Sequence, residues 1–479
     1  MSCVSPRLSA AACVLLATLG LACTAEPDVA PPITPASSAP APHPRGQGTP
    51  RGQGPQRGQG APGGQGSPGG QGSPGGQGSP GGQPQGPPVS GAALQDPAGF
   101  PEFHSWPAPQ GPAIQALGQW SAPVQLSAGT EGGYRPQIAV APNGLVHSIF
   151  YARTDAGDLI RHRTLVDGGA WSSPRPVGFD NQRNWGPDLV VRDDGTVVLV
   201  FDHAQPDFSS RGWLTRFDGT AWSDPEPLTA AGNDHEVGSG HVAHGVGDDL
   251  AYVWIGKAMG PDHRFQAWTR WRHDGQWTDP KALTDGTADA WHTNVERRPD
   301  GSMLMGYDVG TGGAETVLYI AEGRGGSFGT PENLTATATP GERPHFAFGT
   351  DGVDHIAYFH KQRGRPLHVY VRSGRPGAWG PNQEPSKGYG GFHFDPDIAI
   401  DAQGRRVLVW GWDSGKEAEL IYAVDTGDGW SVPQRVATLG AGKPGLPSID
   451  VGSDGVFHVS WNQGVRGRSQ VWYASLVLP

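Results

Sequence analysis

Arg135, Arg153, Arg343, Trp185, Trp291, Trp412, His203, His235, His292, His360 and His393, with Asp308 and Asp413, are the side chains of this 479-residue chain best placed to do chemistry. Arginine forks grip carboxylates and sulfates through paired N–H donors. Indole faces stack on the apolar faces of sugar rings. Imidazoles move protons or ligate metals. Each of these residues falls in one of two places in an internal repeat. The first is the run opening an expected strand a: Tyr134-Arg135, Arg183-Asn184-Trp185, Asp234-His235-Glu236, Trp291-His292, Glu342-Arg343 and His393-Phe394-Asp395. The second is the run closing strand b: Tyr151-Ala152-Arg153, Asp202-His203, Lys257, Tyr307-Asp308, His360-Lys361, Trp412-Asp413 and Asn462-Gln463. No metal-ligand spacing such as H-E-x-x-H occurs, so no metal or other cofactor is expected. A Ca²⁺ at Arg192-Asp193-Asp194 has only the carboxylates of a surface turn behind it.

The elements that must position these residues follow from the repeat. Trp120, Trp171, Trp222, Trp277, Phe328, Trp379 and Trp430 are spaced by 51, 51, 55, 51, 51 and 51 residues, each with a Pro shortly after it. The hairpin glycines Gly144, Gly195, Gly247, Gly301, Gly352, Gly404 and Gly455 keep step. A strand-rich period near 50 marks a propeller. Each unit reads as four short strands, a to d, with Gly at the tight turns. Strand a begins at Pro136, Pro187, Gly240, Thr293, Pro344, Pro396 and Pro447, which makes seven units. The Pro after each Trp cannot donate to a ladder, so strand d is an outer edge, and the recurrent Trp packs one blade on the next. The seventh unit ends at its strand c, whereas an orphan strand d, Trp120 to Leu126, precedes the first. The expected fold is an all-β, seven-bladed β-propeller of four-stranded antiparallel blades over residues 115–479, closed by that N-terminal outer strand. In such a blade the opening of strand a and the close of strand b share one face. The residues named above therefore gather on one rim, and the other face carries Gly, Asp and Asn turns.

Residues 1–22 read as a signal peptide, with Arg7 ahead of an apolar stretch from Leu8 to Leu21 that is too short to span a bilayer. Leu19-Gly20-Leu21-Ala22-Cys23 resembles a bacterial lipobox, which makes Cys23 the expected lipidation site. The implied location is the cell envelope, lipid-anchored at the outer membrane, with secretion as the alternative. Residues 23–114 hold few large apolar side chains and repeat GGQGSP-type units, so they read as a disordered linker. As a flexible coil, about 90 residues reach roughly 50 Å. The net charge of -11 argues against a nucleic-acid partner. A monomer touching the membrane only through its lipid is expected.

The repeat W-x-x-P … P-x-I-A-x-D-x-x-G-x-x-x-V-x-W resembles that of the sialidase-like, BNR-repeat propellers of bacterial exported proteins, and the likeness runs through all seven units. It is one of repeat grammar. Tyr134-Arg135-Pro136 only partly echoes the arginine segment of sialidases, and Ser453-Asp454-Gly455-Val456-Phe457 lacks the Trp of a full Asp box. The resemblance implies carbohydrate as the partner. A propeller binding a polysaccharide or glycan on one face is the leading reading. A polysaccharide lyase or glycoside hydrolase on an acidic glycan is the second, with His292, Tyr307, Arg343 and His203 as its parts. A non-catalytic protein-interaction scaffold is the third, since propellers host all three.

Overall fold

The computed structural model describes residues 117–479, apart from 156, 167–168, 180–182, 205–209, 230–236, 258–263, 311–315, 337–339, 361–367, 438, 440–441 and 466–467. The expected signal peptide, Cys23, the linker and His235 lie outside the described residues.

Seven antiparallel sheets are present among the described residues: six are ordered a-b-c-d, and the fifth holds strands a, b and c, with a single bridge between Val371 and Gln383 where strand d would pair. Strands a are Gly132–Val140, Asn184–Val191, Val237–His244, Ala290–Arg297, Glu342–Phe348, Phe392–Ile400 and Lys443–Val451. Strands b are Val146–Thr154, Val197–Ala204, Leu250–Lys257, Met303–Gly310, Asp354–His360, Arg406–Asp413 and Val456–Val465. Neighbouring strands a pack side by side around a central channel. The hairpin glycine between a and b has φ between 64° and 83° in every blade, a left-handed turn that glycine adopts without a Cβ penalty.

The seventh sheet closes as the orphan segment implies. Gln119 and Trp120 pair with Val477 and Leu476, and Val124 and Gln125 pair with Tyr473 and Trp472. The segment Gln119 to Gln125 and the strand Arg468–Val477 thus share one blade, which leaves no open seam between the first and seventh units.

The hydrophobic core is seven clusters, one for each junction between neighbouring blades. Blades 1 and 2 meet through Ile149, Ile160, Leu199 and Phe201, and blades 7 and 1 through Val471, Tyr473, Ile138 and Phe150. Strand b is apolar on both faces (Val197 to Phe201 all buried) because a blade is covered on both sides. Every repeat aromatic sits against one of these junctions. Trp120 meets Tyr422 of blade 6 edge-on at 5.1 Å, and Trp171 meets Tyr473 of blade 7 at 4.9 Å. Phe328, in the slot without a Trp, meets Trp271 at 4.9 Å.

Candidate functional site

Strand a begins two to four residues before the positions expected from the sequence, because each one carries a β-bulge that lets pairing resume upstream. The register shifts between Tyr134 and Gln137, Trp185 and Asp188, Gly238 and His241, Trp291 and Asn294, Glu342 and His345, Phe394 and Asp397, and Gly445 and Ser448. Inside six of these bulges one residue takes a left-handed backbone: Arg135 (φ 45°), Gly186 (57°), His292 (30°), Arg343 (54°), Asp395 (50°) and Leu446 (47°). A non-glycine residue pays about 1–2 kcal/mol for that conformation. The following residue is Pro in five cases, suited to a point where the ladder asks for no donor. Bulges re-aim side chains, and here they aim them at the axis.

The six left-handed residues line one axial pocket with Gln137, His241 and His345 below them, enclosing about 700 Å³ of empty space with the open mouth included. Arg343 donates from Nη1 to Asp395 Oδ1 at 2.6 Å, and the Leu446 N–H donates to Asp395 Oδ2 at 3.4 Å. His292 Nδ1 lies 2.9 Å from Asp308 Oδ2, which also accepts from the Arg343 N–H at 3.2 Å. Asp308 is fully buried on strand b, opposite Trp291. Asp202 holds the same repeat position in blade 2, opposite Trp185. Neither of its carboxylate oxygens has a hydrogen-bond partner among the described residues. Burial pushes the Asp202 carboxyl well above its ordinary pKa, against the pull of the Arg135 guanidinium. A Cβ on Gly186 would come within 2.9 Å of Asp202 and 3.7 Å of Arg135, so the backbone runs close over both groups.

Arg135 also lines an adjoining open pocket of about 320 Å³ with Tyr151, Arg153, Asp158 and Trp185. Arg153 pairs with Asp158 at 2.9 Å and lies 5.1 Å from the centre of the Tyr134 ring, which stacks on Tyr151. On the rim, Trp291 is 40% exposed and leans on Phe265 at 5.2 Å.

Other candidates from the sequence stand away from these pockets. His203 is buried against Phe179 and bonds Asn184 at 3.0 Å. His360 is buried near Tyr370. His393 is fully buried, with Nε2 on the Tyr389 carbonyl at 2.7 Å and Nδ1 accepting from Trp410 at 2.9 Å. Trp412 is buried edge-on to Tyr389, and Asp413 binds Lys443 and the Gly415 N–H. The structure therefore brings Arg135, His292, Asp308 and Arg343 to one pocket, and Arg153 and Trp185 to its neighbour. Asp202, Asp395 and Glu342 fall in the runs read from the sequence but are not among its candidate residues. Their signal was position in the repeat: Asp202 and Asp308 share one slot of strand b, and Asp395 precedes a strand-a Pro as Arg135 and Arg343 do.

Below the mouth, polar side chains in the channel wall stitch blades together. Asp188 accepts from the Val242 N–H at 2.9 Å, Asp397 from Ile449 at 2.9 Å, Ser448 from Ile138 at 3.1 Å and Asp450 from Val140 at 2.7 Å. On the opposite face Arg298 forms a buried two-point ion pair with Asp354 of the next blade. There, too, Asp193 pairs with Arg297 at 2.8 Å and Asp194 lies 3.8 Å from Arg192, so the carboxylates considered for Ca²⁺ are engaged with arginines.

The chain is a seven-bladed β-propeller. No protein-family model matches it, and neither does any curated protein. Among solved structures it is similar to a PL25 ulvan lyase bound to -[GlcA(1-4)Rha3S]- (TM-score 0.53, 13% identity, 74% of this chain and 96% of that one). It is also similar to an α-L-arabinanase of Penicillium chrysogenum complexed with arabinobiose (0.46, 13%, 75% and 99%). A sialidase of Trypanosoma rangeli matches with TM-score 0.40 and 13% identity over 65% of this chain and 56% of that one.

Proposed function

We propose that the axial mouth binds an acidic carbohydrate. Arg343 and Arg135 hold a carboxylate or sulfate of the polymer, and Trp291 and Trp185 support its ring faces. The observation that carries this reading is the ring of left-handed bulge residues, which places two arginines and His292 around a single pocket. The ulvan lyase with the same fold is bound to an acidic saccharide, which agrees with this reading. A lipid on Cys23 and the 23–114 tether would present the propeller at the cell surface, so a Cys23→Ser variant should lose radiolabelled fatty acid.

A panel of acidic and neutral polysaccharides, read for binding and for product release, tests the proposal. Saturable binding of uronate-bearing or sulfated polymers without turnover is expected. Unsaturated products absorbing in the near ultraviolet would make the protein a lyase, with the His292–Asp308 pair at the reacting carbon. No binding to any polysaccharide would overturn the reading.

A further inference from the structure

We propose that His292, Asp308 and Glu342 form a divalent-cation site in the wall of the axial pocket, with Mn²⁺ or Zn²⁺ as the fitting ions. One donor atom from each of the three lies within 4.8 Å of the others. The separation of 2.9 Å between His292 Nδ1 and Asp308 Oδ2 also suits two ligands of one ion. Donors held at roughly 2.0–2.2 Å from a metal, about 90–110° apart, sit about 3 Å from each other.

A second observation is independent of the cluster. Asp308 is 0% exposed, and its Oδ1 has no hydrogen-bond partner among the described residues. Its other oxygen meets one imidazole nitrogen and one backbone N–H. A buried carboxylate is costly unless something positive meets it. The Arg343 guanidinium, next in sequence to Glu342, turns away to Asp395 on blade 6. A cation held between His292 Nδ1 and both oxygens of Asp308 would replace the His292 hydrogen bond at Oδ2, use the unpartnered Oδ1 and offset a carboxylate that the fold has removed from water.

The ligands ride on rigid strands: a and b of blade 4 for His292 and Asp308, and a of blade 5 for Glu342. Neighbouring donors orient both carboxylates, namely the Arg343 N–H to Asp308 and the Thr316 hydroxyl to Glu342 at 3.4 Å. His292 lines the pocket and is 30% exposed, so open coordination positions face the mouth. One imidazole nitrogen with two carboxylates and no sulfur suits Mn²⁺ or Zn²⁺. The three residues come from two blades, so no sequence spacing could reveal them.

The test is Mn²⁺ titration of the full-length chain followed by loss of the free-ion EPR signal, with no saccharide present. Mn²⁺ is the probe because the cysteines at 3, 13 and 23 would capture Zn²⁺. One bound equivalent is expected. Glu342→Gln and His292→Ala, with unchanged circular dichroism, should each weaken it by more than about 100-fold, beyond the roughly 10–100-fold typical of groups that only orient the ligands. No uptake by the unaltered chain, or uptake undiminished in both variants, would overturn the site. Because saccharide is absent, either result leaves the carbohydrate reading to its own experiment.

Discussion

Arg343 and Asp395 occupy the same left-handed bulge position in consecutive blades and meet across the seam at 2.6 Å. The pair holds one guanidinium edge still and leaves Arg343 on the pocket wall, partly exposed. Fixing an arginine in this way removes conformational freedom before a ligand arrives, which is where a binding site gains from a rigid scaffold.

Arg343→Gln should therefore weaken binding of an acidic polymer by about 10- to 100-fold, the range for one charge-assisted hydrogen-bonding group. Binding to the unaltered protein should also fall with added salt, and the variant should show a shallower salt dependence. Titration calorimetry at two ionic strengths checks both outcomes.

Two classes of tryptophan should respond in opposite ways. Trp291 is 40% exposed on the rim, so Trp291→Ala should cost about 5- to 10-fold in glycan affinity, the scale of one aromatic contact, and leave the melting temperature unchanged. Trp171 packs on Tyr473 at the junction of blades 7 and 1. Trp171→Ala should lower stability by about 3 kcal/mol. Thermal melts alongside binding curves separate the two.

Arg298→Ala should cost about 1–3 kcal/mol, because the buried Asp354 carboxylate loses its two-point partner and is left with Arg375 at 3.4 Å. Arg298→Met combined with Asp354→Leu should recover most of that loss. Denaturant unfolding of the single and double variants checks this, and equal destabilisation in both would show that the charge pair is not the cause.

Burial holds His147, His244, His355 and His393 down to about 4, and His162 to about 3. In the unfolded chain these imidazoles titrate near about 6.5. Below that value the unfolded state takes up protons that the folded state refuses. Stability should then fall as pH drops from about 6.5 toward 4, by up to about 1.4 kcal/mol per pH unit for each histidine. Asp450 acts with the opposite sign: burial raises it to about 6, so the stability it contributes is present in acid and lost as pH rises through about 6. Both effects act between about pH 4 and 6.5, where Asp450 offsets part of the loss from the histidines, so melting temperature should fall from about pH 6.5 to 4.5 and Asp450→Asn should steepen that fall.

The blade count, the closing strand and the packing role of the repeat tryptophans were all legible in the sequence. They depend on spacing, on Gly at left-handed turns and on Pro at sheet edges, and these are local rules. Which histidine faces the axis was not legible, because strand side chains alternate and a bulge resets the alternation by one residue. His393 and Asp395 are two residues apart, yet the first is fully buried in its blade while the second lines the pocket. His203, His360 and Trp412 share a repeat slot one residue beyond the slot of Asp202, and all three pack away from the axis. A bulge is an excess residue in a pairing, and no hydrophobic pattern records it.

The most direct measurement compares one acidic polysaccharide with its carboxyl-reduced form, binding to the unaltered chain and to Arg135→Gln/Arg343→Gln. The unaltered chain should prefer the acidic polymer by at least about 10-fold, on the scale of one charge-assisted contact, and the double variant should lose that preference while melting normally. Equal affinity for both polymers, or a preference that survives the double substitution, would contradict an anion-gripping mouth.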